Sequence, residues 1–91
     1  MMRESAVQRG IRRHLESHGW AAIKTQPGLG CPVGFPDLIA MRPDRPPVLI
    51  EVKSRIGRLS APQAAMHARL KRQGYQVIVA RSVNDVMGIT G

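Results

Sequence analysis

The stretch DLIAMRPDRPPVLIEVKS, residues 37–54, constrains the fold more than any other part of the chain. Two aliphatic runs, DLIAMR (37–42) and VLIEVKS (48–54), are each the length of a strand and too short for an independent helix. Between them PDRPP (43–47) is turn chemistry, with three prolines that no helix tolerates. Two apolar runs so closely joined form an antiparallel hairpin. Its strands read as core, yet Asp37 opens the first and Glu51 and Lys53 lie near the end of the second. Only Asp44, in the turn, looks like ordinary surface.

Other elements follow from periodicity and punctuation. Val7, Ile11 and Leu15 recur at helical spacing over 3–18, with Arg9, Arg12 and Arg13 toward the other side and Gly19 as the stop. WAAIKT (20–25) reads as a short strand. QPGLGCPVGFP (26–36) carries three prolines and three glycines, a loop of functional length. Ser60 caps a helix running to Gln73 and closed by Gly74. YQVIVA (75–80) is a fourth strand, and a short helix follows from Ser82. The predicted order is α-β-β-β-α-β-(α), an α/β fold with a small mixed sheet and helices packed on it.

Ninety-one residues make one domain, 1–91. A chain of this size buries only somewhat more than ~60% of its unfolded surface. With 3% aromatic residues the core is built from aliphatic side chains, and a homodimer is expected to complete it. Fourteen Lys plus Arg against six Asp plus Glu give a net charge of +8 and a pI near 11.4. Eleven of the fourteen are Arg, which suits bidentate phosphate contact, so nucleic acid is favoured over a purely solubilising role. Cys31 is alone, which excludes an internal disulfide and fits a reducing, intracellular and cytoplasmic setting. The N-terminal residues lack an apolar signal region, and no run approaches a membrane span. His14 and His18 are four apart on a helix, but no third ligand is evident and no zinc is assigned. Trp20 and Tyr75 can each stack on a base, although a single aromatic beside a strand is more often core.

The carboxylates carry the chemistry. Residues two apart on a strand share a face, so Glu51 and Lys53 project together while Ile50 and Val52 point into the core. Asp37, on the paired strand, can lie beside them. Two carboxylates suit a hard divalent cation such as Mg²⁺ or Mn²⁺, and a lysine nearby can orient or deprotonate a water or steady a phosphate. The plainer alternative is a cross-strand salt bridge between Lys53 and Glu51 or Asp37. Glu4, three residues before Val7, projects from the apolar side of the first helix, though an acid in a first turn also complements the helix dipole. Ser60-Ala-Pro-Gln63 is a capping box, which accounts for Gln63 without chemistry.

These residues also resemble a known family. G34-F-P-D37, then E51-V-K53, then G57-R-L-S-A-P-Q63, with Glu4 and Q8-xx-I11 before them and V77-I-V-A-R-S82-V-x-D85 after, are similar to the VRR-Nuc domain. That is the virus-type replication-repair nuclease domain of the PD-(D/E)xK superfamily, here in a stand-alone viral or phage form. The resemblance implies a restriction-endonuclease-like fold. It implies that Asp37, Glu51 and the Val52 carbonyl hold the metal, that Glu4 approaches it directly or through water, and that Lys53 is the catalytic lysine. Gln63 would face the site from the following helix. The function implied is a Mg²⁺- or Mn²⁺-dependent endonuclease acting on branched DNA such as Holliday junctions or flaps, working as a homodimer. No small-molecule cofactor and no membrane are expected. Arg55 and Arg58, flanking the turn after E-V-K, and Arg12 are the candidate phosphate contacts. The competing class is a non-catalytic nucleic-acid-binding module on the same fold.

Overall fold

The computed structural model describes residues 2–90. Helix α1 (Glu4–Ser17) buries Val7, Ile11 and Leu15, the stripe that the spacing predicts. Strands β1 (Ala21–Lys24), β2 (Leu38–Arg42) and β3 (Arg45–Val52) then form an antiparallel meander. Helix α2 (Ala61–Arg72) carries the chain across to β4 (Gln76–Ala80), which pairs with β3 in parallel, as such a crossover permits. The sheet order is β1-β2-β3-β4. A 3-10 turn (Val83–Val86) and a short helix α3 (Met87–Thr90) follow. The order and the mixed sheet agree with the α-β-β-β-α-β-(α) reading. Among the described residues, no helix is long and apolar enough to cross a membrane.

Alternation along β3 divides the protein into layers. Val48, Ile50 and Val52 face α1 and join Val7, Ile11, Leu15, Leu38, Ala40 and Val86 in the main core. Leu49 faces α2 and packs with Leu70 and Val77, flanked by Phe35, Ile39 and Met66. Glu51 is two residues beyond Leu49, on this same face.

The hairpin turn is tighter than the sequence suggests. Only Pro43 and Asp44 turn, and the segment expected to continue the turn as far as Pro47 is already β3. The prolines are accommodated because the β2–β3 register shifts between Ala40 and Arg42, an irregularity at which no N–H is required of Pro46 or Pro47. Asp37 and Lys53 each lie one residue outside the strands assigned to them. Trp20 is core, as its position suggested, whereas Tyr75 is 49% exposed. His14 bonds Thr90 through Nε2 (2.8 Å), tying α1 to α3 rather than offering a metal ligand.

The loop of residues 26–36 must pass under the start of α2, and Gly34 makes that possible. Its φ is +88°, and a Cβ there would lie 2.4 Å from the Pro62 carbonyl oxygen. Gly28 has a similar φ of +87° but open space around it. Gly28→Ala should therefore cost only the left-handed backbone penalty, about 1–2 kcal/mol. Gly34→Ala should cost clearly more, because α2 must also shift. Urea unfolding of the two variants measures the difference.

Candidate active site

Asp37 is held by backbone before its carboxylate is used. The Thr25 hydroxyl donates to the Pro36 carbonyl (2.6 Å), and the Thr25 N–H donates to the Asp37 carbonyl (2.9 Å). Asp37 Oδ2 then accepts the Val52 N–H at 2.8 Å. This side chain replaces the next rung of the β2–β3 ladder. If the ladder continued past the Leu38–Ile50 pair, Val52 would face Pro36, which has no N–H to give. The Val52 carbonyl, directed to the same side as its N–H, is left without a strand partner at the end of β3.

Glu51 is the chemical anomaly of the fold, a carboxyl group with 0% exposure on a core strand. Gln63 Nε2 donates to its Oε2 at 3.4 Å, and His67 Nε2 lies 3.1 Å from its Oε1. Burial, first of all, pushes its pKa up to about 9, and the hydrogen bond and negative charge of Asp37 push the same way. Lys53 opposes the shift, and the charge of Glu4 adds slightly to it. His67, also buried, has its pKa lowered by desolvation and by the charge of Lys71. Both shifts favour the uncharged forms of this pair, whose contact distance would also suit an ion pair.

Gln63 serves both roles that the sequence leaves open. Its Oε1 accepts the Ser60 N–H (2.9 Å) and its own N–H donates to Ser60 Oγ (3.3 Å), closing the capping box. Its Nε2 is the end that reaches Glu51. An amide has an acceptor and a donor, so one side chain does both.

The chain matches the model of the VRR-NUC domain over residues 2–84. It belongs to the VRR-NUC family. A solved structure described as a VRR_NUC domain superposes with a TM-score of 0.82 at 24% identity, covering 98% of this chain and 95% of that one. A second, a VRR_NUC domain protein, gives a TM-score of 0.74 at 19% identity, covering 97% and 84%. No curated protein sequence matches the chain. The fold is thus that of a nuclease domain family, and the sheet and helices agree with it.

On this VRR-NUC fold the predicted site residues converge unequally. Asp37, Glu51, Val52 and Gln63 meet at the end of β3. Lys53 is half-buried next to them, and among the described residues it makes no ion pair, which disposes of the cross-strand salt bridge. Glu4 was expected to face inward but is exposed. It is the first residue of α1, where the helix overhangs the core, and it reaches Glu51 only as a weak field. Arg55 and Arg58 are exposed on the segment after Lys53. Arg12 differs from its neighbours Arg9 and Arg13. It is half-buried with its Nε enclosed and without a hydrogen-bond partner among the described residues, since position 12 lies at the margin of the apolar stripe and its stem packs there.

Sequence reasoning missed two residues. His67 shows no metal-ligand spacing with Cys31 in the sequence, yet it stands four after Gln63 and so shares its helix face. Arg81 donates through one nitrogen to the carbonyls of Ser54 (2.7 Å) and Gly57 (2.6 Å), with Arg55 at 3.4 Å, clamping the segment that follows Lys53. No local pattern signals that clamp.

The oxygen donors at this centre, two carboxyl groups and the Val52 carbonyl beyond the last β2–β3 pair, are of the kind that Mg²⁺ and Mn²⁺ take. Among the described residues no group of three His, Cys, Asp or Glu side chains is placed to hold a metal ion. Such cations keep several waters, so the set is compatible with them. For the metal-free protein, the raised pKa of Glu51 has a clear sign. The folded state keeps a proton that the unfolded state loses above pH 4.5, so this contribution to stability is lost as pH rises toward about 9. His67 acts at the other end, opposing stability as pH falls below 6.5. In EDTA, Tm should decline from about pH 6.5 to 9, and Glu51→Gln should flatten that decline. Scanning calorimetry across the range would show it.

Proposed function

We propose that this chain is a Mg²⁺- or Mn²⁺-dependent endonuclease that hydrolyses phosphodiester bonds in branched DNA. The observation that carries the reading is the junction of a buried Glu51, a backbone-anchored Asp37 and a partnerless Val52 carbonyl, with an unpaired Lys53 beside them. Membership of a nuclease domain family supports the reaction class. Asp37, Glu51 and the Val52 carbonyl would hold the ion. When bound, it supplies Lewis acidity toward the phosphodiester and makes a coordinated water more acidic.

The remaining chemistry belongs to the chain. Lys53 orients the attacking water or takes its proton, and its charge offsets what builds on the phosphate. Gln63 holds Glu51 in place, and Glu4 supplies a further carboxylate at the rim. Arg55 and Arg58 grip the backbone of the nucleic acid. Basic residues spread over both helices suit recognition of backbone and shape more than base reading. The small size of the domain and the family resemblance support a four-way or flapped substrate cut by two copies. Ile23 and Met41, each 48% exposed on the part of the sheet that α2 leaves uncovered, give a second copy apolar surface to bury.

The test is cleavage of linear duplex, single strand, flap, splayed arm and four-way junction in Mg²⁺, Mn²⁺ or EDTA. Lys53→Ala should lose ~10²-fold or more in rate while keeping DNA and metal binding. Asp37→Ala should lose both metal affinity and cleavage. Cutting by Lys53→Ala at the parent rate would sink the mechanism. Tight binding without cutting in either metal would instead favour a non-catalytic module. Arg58→Ala should weaken binding to all substrates and reduce the slope of log K against log salt by about one unit.

A further inference from the structure

His67 is 4% exposed and lies on the face of α2 where Met66 and Leu70 pack against Leu49 and Val77. An apolar side chain would suit that environment better, since burying an imidazole is costly without a partner. The partner of its Nε2 is Glu51 Oε1, 3.1 Å away. One turn earlier on the same helix, Gln63 Nε2 reaches the other oxygen of the same carboxylate. Helix α2 therefore meets Glu51 with two side chains, one on each oxygen. A carboxylate has no proton to give, so with Glu51 ionised only the Nε2–H tautomer of His67 makes this bond. Each oxygen keeps a further lone pair for a cation.

We propose that His67 is a positioning residue for Glu51, fixing its carboxylate in the orientation that faces Asp37 and the end of β3, so that the metal site is assembled before the ion arrives. The inference rests on the metal-dependent reading above and deepens it. His67 touches neither ion nor substrate; it acts by removing rotational freedom that ion binding would otherwise have to remove. Hydrogen bonds to metal-ligating carboxylates have this effect elsewhere, and losing one lowers metal affinity about 10–100-fold. The Nε2 position of glutamine can reproduce the Nε2–H of histidine. Leucine fills the site without a donor, and asparagine carries an amide too short to reach.

The experiment measures Mn²⁺ affinity by titration calorimetry and by the electron spin resonance of free Mn²⁺, for the parent, His67→Leu, His67→Gln and His67→Asn. Circular dichroism in EDTA establishes that each is folded. The dissociation constant should rise about 10–100-fold in His67→Leu and His67→Asn. It should stay within about threefold of the parent in His67→Gln. Cleavage by His67→Leu should recover when Mn²⁺ is raised to saturation. If His67→Leu fails to fold, His67→Asn against His67→Gln carries the same comparison. Parent-like affinity in the donor-free variants, or equal loss in folded His67→Gln, would overturn the proposal. So would nitrogen hyperfine coupling to bound Mn²⁺ that disappears in His67→Gln, which would make the imidazole itself a ligand. Loss of binding in Asp37→Ala beside unchanged binding in the His67 variants refutes only the role of His67. A parent that binds no Mn²⁺ refutes the metal-dependent reading and this proposal together.

Discussion

A carboxyl group two residues along a strand from Leu49, with no exposure to water, forfeits its hydration on folding and must find replacement partners within the protein. The arrangement around Glu51 is the consequence. Helix α2 has to begin where Gln63 and His67 can reach it, and the Ser60 cap and Pro62 establish that start. The loop before β2 has to approach α2 closely enough to deliver Asp37, and only a residue without a Cβ fits at position 34. Even with these partners the group favours its protonated form, because burial outweighs the help of Lys53. Where two carboxyl groups meet under burial, one of them keeps its proton well above the usual carboxylate range.

The fold and the site are linked through one missing N–H. Pro36 ends the β2–β3 ladder, and the Asp37 carboxylate takes over the Val52 N–H that the ladder leaves behind. The same interruption leaves the Val52 carbonyl without a strand partner. The proline and aspartate of the P-D pair therefore have separable duties: one stops the strand, the other replaces a rung while offering its second oxygen. Their adjacency is what lets the strand end here without a buried unsatisfied amide.

Much of this was legible in the chain because it is written in local patterns. The hairpin, the helical stripe of Val7, Ile11 and Leu15, and the alternation that separates Glu51 and Lys53 from Ile50 and Val52 all follow from periods of 3.6 and 2. Gln63 was readable as a cap because capping is local. What escaped was set by tertiary distance. His67 carries no mark in a sequence beyond its spacing from Gln63, and that spacing matters only once Glu51 is known to lie opposite. Arg81 clamps residues about 25 positions earlier in the chain. Glu4 was placed on the correct stripe but misjudged in depth, since periodicity gives a direction from the helix axis and says nothing of whether the core extends that far. The turn was misjudged because prolines normally end strands, and the register shift that admits them is a property of the pair.

Lys53 shows why the clamp matters. A lysine beside two acids would ordinarily satisfy itself by pairing with one of them, and a long flexible side chain has little to prevent it. Here the following residues turn back over it: the Gly57 N–H bonds both the carbonyl and the hydroxyl of Ser54, and a Cβ at Gly57 would stand 3.1 Å from that hydroxyl and 3.5 Å from Lys53 Cδ. Arg81 pins this turn through its carbonyls, so the stem of Lys53 is flanked by a segment that is itself tied to the end of β4. Confinement of the stem lowers the entropy the ammonium would gain by roaming, and it makes an approach to either carboxylate a matter of geometry rather than of attraction alone. Lys53 therefore stands beside the two acids without an ion pair to either among the described residues, its stem fixed by the turn that follows it.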